Sequence, residues 1–69
     1  MAYRGLRKNK LTEGSVEHLF LLLINPEDDC HYFFHLKDGK VESKVNLGKD
    51  FIAALITYDS LVRSATGDP

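Results

Sequence analysis

With 69 residues, nine Lys and Arg against ten Asp and Glu, and a formal net charge of −1, this chain has room for one small core and lacks the bulk charge of a polycation or an acidic tail. Its single cysteine, Cys30, excludes an intrachain disulfide, and nothing reads as a secretory signal or a membrane-spanning segment, so a reduced cytoplasmic setting is expected. A domain this short needs a further source of stability, and a homodimer is the expected one.

The charges are unevenly placed along the chain. Residues 1–12 carry Arg4, Arg7, Lys8 and Lys10 with no acid, +4, whereas the remainder sets five cations against ten carboxylates, −5. Residues 1–12 therefore read as a basic, partly flexible arm, residues 13–66 as the single domain and 67–69 as a tail. Such an arm would steer the protein towards an acidic partner; a plainly solvated terminus is the simpler alternative.

Next comes EHLFLLLIN at 17–25, six successive apolar residues that show neither polar alternation nor the length to cross a membrane. Pro26-Glu27-Asp28-Asp29 ends this run, and Asp38-Gly39 supplies the positive φ angles of a two-residue hairpin turn. The pattern predicts an α+β fold: a three-stranded antiparallel meander at about 17–25, 30–36 and 41–47, packed by one C-terminal helix after Gly48. In the alternative α-β-β-α order, Ser15 caps a helix over residues 15–25, for which leucine is a good former.

Register sorts the side chains into two faces. An Asp38-Gly39 turn pairs Leu36 with Val41, Phe34 with Ser43, Tyr32 with Val45 and Cys30 with Leu47, and the Pro26–Asp29 loop pairs Leu19 with Leu36. The face holding Leu19, Leu21 and Leu23 is expected to lie under the helix. Phe20, Leu22, Ile24 and Phe33 are then left as an outer apolar patch, beside His18, His31 and His35. A patch of that kind marks an interface, and with Arg4, Arg7 and Lys8 it forms the expected partner-binding set.

In the last segment, Phe51, Ala54, Leu55, Tyr58, Leu61, Val62 and Ala65 make one core-facing stripe. Asp50 in the first turn and Arg63 near the last have the favourable signs for the helix dipole. Ile52 and Ile56 fall outside the stripe, alongside Asp59 and Arg63, and form the expected dimer interface, apolar with a polar rim.

Chemistry-bearing residues are few. Cys30 and His31 alternate to opposite faces of a strand, and His31 and His35 are roughly 13 Å apart along it, too far to share a zinc ion. His18 lies diagonally from His35, but two histidines are an incomplete metal site. Glu27, Asp28 and Asp29 lack the ligand spacing of a calcium loop. No cofactor, metal or enzymatic activity is expected.

Nucleic acid is the less favoured partner. Arm cations and Tyr3 could contact a strand, yet Phe20 and Phe33 lie near Glu42 without a basic field around them.

One small domain, a charged arm, surplus apolar surface and no catalytic motif resemble the layout of the small bacteriophage proteins that disable host machinery, such as anti-CRISPR and anti-quorum-sensing proteins. The likeness is one of layout, and no residue role comes with it. It implies a stoichiometric inhibitor in the host cytoplasm that occludes a regulatory protein, such as a quorum-sensing transcriptional activator, or a motor ATPase. A nucleic-acid-binding accessory protein and a small structural subunit of a larger assembly are the alternatives.

Overall fold

Two two-residue turns and one four-residue loop fold the chain as far as Gly48 into a single antiparallel sheet. The structure, a computed structural model, describes residues 2–67; Met1 of the basic segment and Asp68 and Pro69 of the tail lie outside the described residues. The strands are β1 (Arg4–Glu13), β2 (Val16–Asn25), β3 (Cys30–Lys37) and β4 (Lys40–Gly48), in the order β1-β2-β3-β4, followed by helix α1 (Phe51–Thr66). The three-stranded expectation is corrected by β1. The basic segment is an edge strand, and residues 15–25 form β2 and its approach instead of a helix.

β1 escapes a pattern reading because Leu6 and Leu11 are its only apolar side chains. Edge strands are commonly rich in charge, since lysine and arginine discourage pairing with another chain. It runs against β2 from Arg4↔Ile24 to Glu13↔Val16 around Gly14-Ser15, where Gly14 adopts a φ of 61° that suits glycine. The register shifts between Gly5 and Arg7, leaving Leu6 as the extra residue.

The expected β2–β3 register holds, with Asn25 opposite Cys30 and Leu19 opposite Leu36. Asp38 and Gly39, with φ of 50° and 81°, make the two-residue turn into β4. Its first pairs are also as expected, Lys37↔Lys40 and Leu36↔Val41. A bulge at Glu42 then slips the register by one, so that Phe34 pairs with Lys44 and Phe33 with Val45, in place of Ser43 and Lys44. A one-residue slip exchanges every later side chain between faces. Lys44 consequently joins Phe34, and Val45 moves to the helix side of the sheet, where it stays 41% exposed; Tyr32 pairs with Asn46 in place of Val45, and a second shift follows between Tyr32 and His31.

The helix lies on the face opposite to the one anticipated. Phe20, Leu22 and Phe33 are 1%, 0% and 5% exposed and form the core with Ala54 and Tyr58 of α1. Leu6, Leu11, Leu47, Leu55, Leu61 and Val62 pack around them. Alternation misled here: both faces of β2 are apolar, while on β3 the helix side carries His31, His35 and Lys37 beside Phe33 and the open side carries Tyr32, Phe34 and Leu36.

α1 is closed at both ends by its own sequence. The Asp50 side chain is the N-cap, accepting from the backbone N–H of Ile52 and Ala53 at 3.0 and 3.4 Å, rather than lying in the first turn. Gly67, with φ 75°, closes the C-terminus, with Arg63 in the last turn. Ala54 allows close approach of the helix to the sheet, while Phe51 covers His31 at a ring separation of 5.9 Å. No helix among the described residues is long and apolar enough to cross a membrane.

Candidate functional site

Directly paired residues share a face, so the surface turned away from α1 can be assembled row by row. Its central row runs Lys8, Leu21, Phe34, Lys44. Gly5, Leu23, Tyr32 and Asn46 lie on one side, and Lys10, Leu19, Leu36 and Val41 on the other. The floor is apolar and half-buried, and lysines stand at both edges, Lys8 and Lys10 on β1 and Lys44 on β4. No described element covers this face.

One end of the face is aromatic. Tyr3, just before β1, meets Tyr32 and Phe34 edge-on at 5.8 and 5.6 Å between ring centroids. The Lys44 ammonium lies 5.1 Å from the Tyr32 ring centre, 5.7 Å from Phe34 and 5.9 Å from Tyr3, within the reach of a cation–π contact to each. The Tyr32 hydroxyl donates to Asp28 Oδ2 at 2.7 Å. That bond holds the Tyr32 pKa up at about 12. The Asp28 carboxyl is held below its ordinary value by the Cys30 backbone N–H and then by Tyr32. Asp28 at one end, and Glu17 with Asp38 at the other, place acids of this face at its two ends, leaving the middle cationic.

The residues expected to bind a partner are divided between the two faces. Phe20, Leu22 and Phe33 are core, not surface, and Ile24 is half-buried on the same side between Arg4 and His31. Arg4 and Arg7 pair with Ile24 and Leu22 on the helix side, and Arg7 Nη1 donates to the Leu6 carbonyl at 2.8 Å. Of that set, Lys8 alone lies on the uncovered face. Sequence reasoning gave Lys44, Tyr32 and Phe34 no binding role, and named Lys10 and Tyr3 only as arm contacts for the less favoured nucleic-acid partner. The Gly14-Ser15 pair between Glu13 and Val16 was the available signal, since it is a two-residue hairpin signature that would have made residues 4–13 a strand. Ile52 and Ile56 stand out into solvent, 60% and 66% exposed, on the far side of the molecule, as the helical spacing requires.

The histidines are structural partners of the core. His18 Nδ1 and His35 Nε2 are hydrogen-bonded at 2.9 Å, and both rings stack near Phe20, at 6.2 and 4.7 Å. Glu13 Oε1 is 3.5 Å from His18 Nε2. His31 Nδ1 bonds the Gly48 carbonyl at 2.9 Å. No group of three or more metal-ligating side chains occurs among the described residues. A shallow cleft of about 180 Å³ beside Lys10, Leu19, Leu36 and Gly39 falls short of the ~300 Å³ at which pockets begin to enclose drug-sized ligands.

The histidine pair predicts an acid response. Burial, then the neighbouring His18, lowers the His35 pKa from 6.5; Glu42 opposes this shift and Lys37 adds to it. The unfolded chain therefore takes up this proton first as pH falls, so the contribution is present above about 6.5 and is lost progressively below it. The denaturation midpoint of the wild type should fall between pH 7 and pH 5. In H35Q, which keeps an acceptor for His18, that slope should be shallower; an equal slope would remove His35 as its source.

Comparison with protein-family models, with curated proteins and with solved structures finds no match to this chain.

Proposed function

We propose that this protein is a non-enzymatic binding module that works through the uncovered face of its sheet, taking an anionic macromolecule as partner. The observation that carries the reading is the central row Lys8, Leu21, Phe34, Lys44: apolar residues flanked by cations at both edges of a face that no described element covers. A solvent-facing apolar surface this continuous is the usual mark of an interaction site. On a protein target the mode of action is occlusion, the stoichiometric block of a regulator or motor ATPase that the layout of the chain suggests.

Ile52 and Ile56, rimmed by Asp59 and Arg63, are proposed as a separate self-association surface. A helix-to-helix dimer would leave the uncovered sheet face free.

Leu21→Asp and Ile56→Asp separate these roles. With cell lysate passed over each immobilised variant at two salt concentrations, L21D should lose what the wild type retains and I56D should keep it. Sedimentation should show the lower mass for I56D alone. Retention that survives L21D and is lost in I56D would move the working surface to the helix.

A further inference from the structure

We infer that the occupant of the uncovered face is a single strand of nucleic acid, its bases on the aromatic end and its phosphates on the lysines of the two edges. This rests on the reading of that face as the working surface.

Phe20 and Phe33, the aromatic residues that weigh against a stacking platform, lie under α1 and have no bearing on the other side of the sheet. There, Tyr3, Tyr32 and Phe34 form one cluster, with Lys44 over it and Lys8 at the other end of the row that holds Phe34. Aromatic rings accept any base by stacking, and cations beside them track the backbone. Four strands put the two cationic edges roughly 14 Å apart, room for one strand to lie along an apolar floor. A duplex keeps its base faces stacked inside and offers no such contact.

Charge complementarity also ranks the other occupants lower. A second copy placed face to face brings lysine-bearing edges against one another, with Glu17, Asp38 and Asp28 near the ends, among the described residues, to oppose them. An acidic amphipathic helix could use Leu19, Leu21, Leu23 and the lysines, but would not exploit the ring cluster that Lys44 overlies.

The test is fluorescence anisotropy with labelled oligo(dT) and oligo(U) of about 20 nucleotides, the matching duplexes and an acidic amphipathic peptide. Single strands should bind in preference to duplex. Engagement of the three edge lysines would give a slope of about −2 in log affinity against log salt. Phe34→Ala should weaken binding by about 5- to 150-fold, the range of one lost base stack. Lys44→Gln should make the slope shallower by about 0.7. Lys8→Glu, at an exposed edge, should also weaken single-strand binding, and it takes the place of F34A should that variant fold poorly. Ser64→Ala, exposed on the helix and outside both proposed surfaces, should bind like the wild type.

A folded wild-type protein that binds no single strand, or prefers duplex, overturns the inference. If it binds the acidic peptide instead, and L21D abolishes that, the working face stands and the nucleic-acid assignment falls. Single-strand binding that is unchanged in L21D, F34A, K44Q and K8E overturns both.

Discussion

Phe20→Ala is expected to reduce folding stability by about 3–5 kcal/mol, whereas Phe34→Ala, the same truncation one strand away, should cost about 1 kcal/mol. Phe20 is 1% exposed and stacks between His35 and Phe33, at 4.7 and 6.3 Å, under a helix that leaves little freedom to collapse into the vacated space. Phe34 is half-buried on the open face, where Tyr3 and Lys44 can close over the gap. For a 69-residue domain, total stability is on the order of 3–10 kcal/mol, so the first variant should be largely unfolded near room temperature or melt far below the wild type. Urea denaturation of both variants measures the contrast. Equal losses would mean that the helix does not select between the faces as described.

That contrast also marks where sequence reading stops. Asp38-Gly39 and the Pro26–Asp29 loop were legible because each needs particular backbone angles, and with them the β2–β3 register and the strands of β2, β3 and β4 within about one residue. The helix was legible from its spacing, with Asp50 and Gly67 at its ends. The choice of covered face was not, because β2 reads Leu-Phe-Leu-Leu-Leu-Ile and either set of alternate residues could form a core. What fixes the choice lies elsewhere in the chain: the bulge at Glu42, which puts Val45 opposite Phe33, and the reach of Tyr58 to Asn9 and Phe20. Neither a bulge nor a bond across 49 positions leaves a local signature. β1 was hidden for a different reason. Its charged side chains suit an exposed edge, and the same composition describes a solvated terminus.

The misreading of β1 concealed the candidate surface as well. Taken as an arm, Arg4, Arg7 and Lys8 form one mobile cluster. Taken as a strand, they alternate, and Lys8 and Lys10 are fixed opposite Leu21 and Leu19 while Arg4 and Arg7 turn to the helix side. Strand geometry thereby converts a diffuse positive segment into a cationic edge at a set distance from the Lys44 edge.

Tyr58 holds that geometry in place, and its removal is the second large effect expected. The hydroxyl shares its one proton between Asn9 Oδ1 at 2.7 Å on β1 and the Phe20 carbonyl at 3.1 Å on β2, while the ring packs against Phe33 at 6.0 Å. Tyr58→Ala loses both bonds and a fully buried ring and should cost about 3–5 kcal/mol. Tyr58→Phe keeps the ring and should cost about 1–2 kcal/mol, the loss of a buried donor whose acceptors must find water. Hydrogen exchange should show the difference locally: in Y58F, β1 amides should lose more protection than β3 amides, because the bond to Asn9 ties the edge strand to the helix. Burial, reinforced by Asp59 and opposed by Arg7, raises the Tyr58 pKa to about 12. The unfolded chain releases this proton near 10, so stability is complete below about pH 10 and declines as pH rises towards 12. Y58F should flatten part of that decline, leaving the share due to Tyr32, whose pKa is also raised to about 12. An alkaline slope identical in wild type and Y58F would show that the hydroxyl is not buried between helix and sheet.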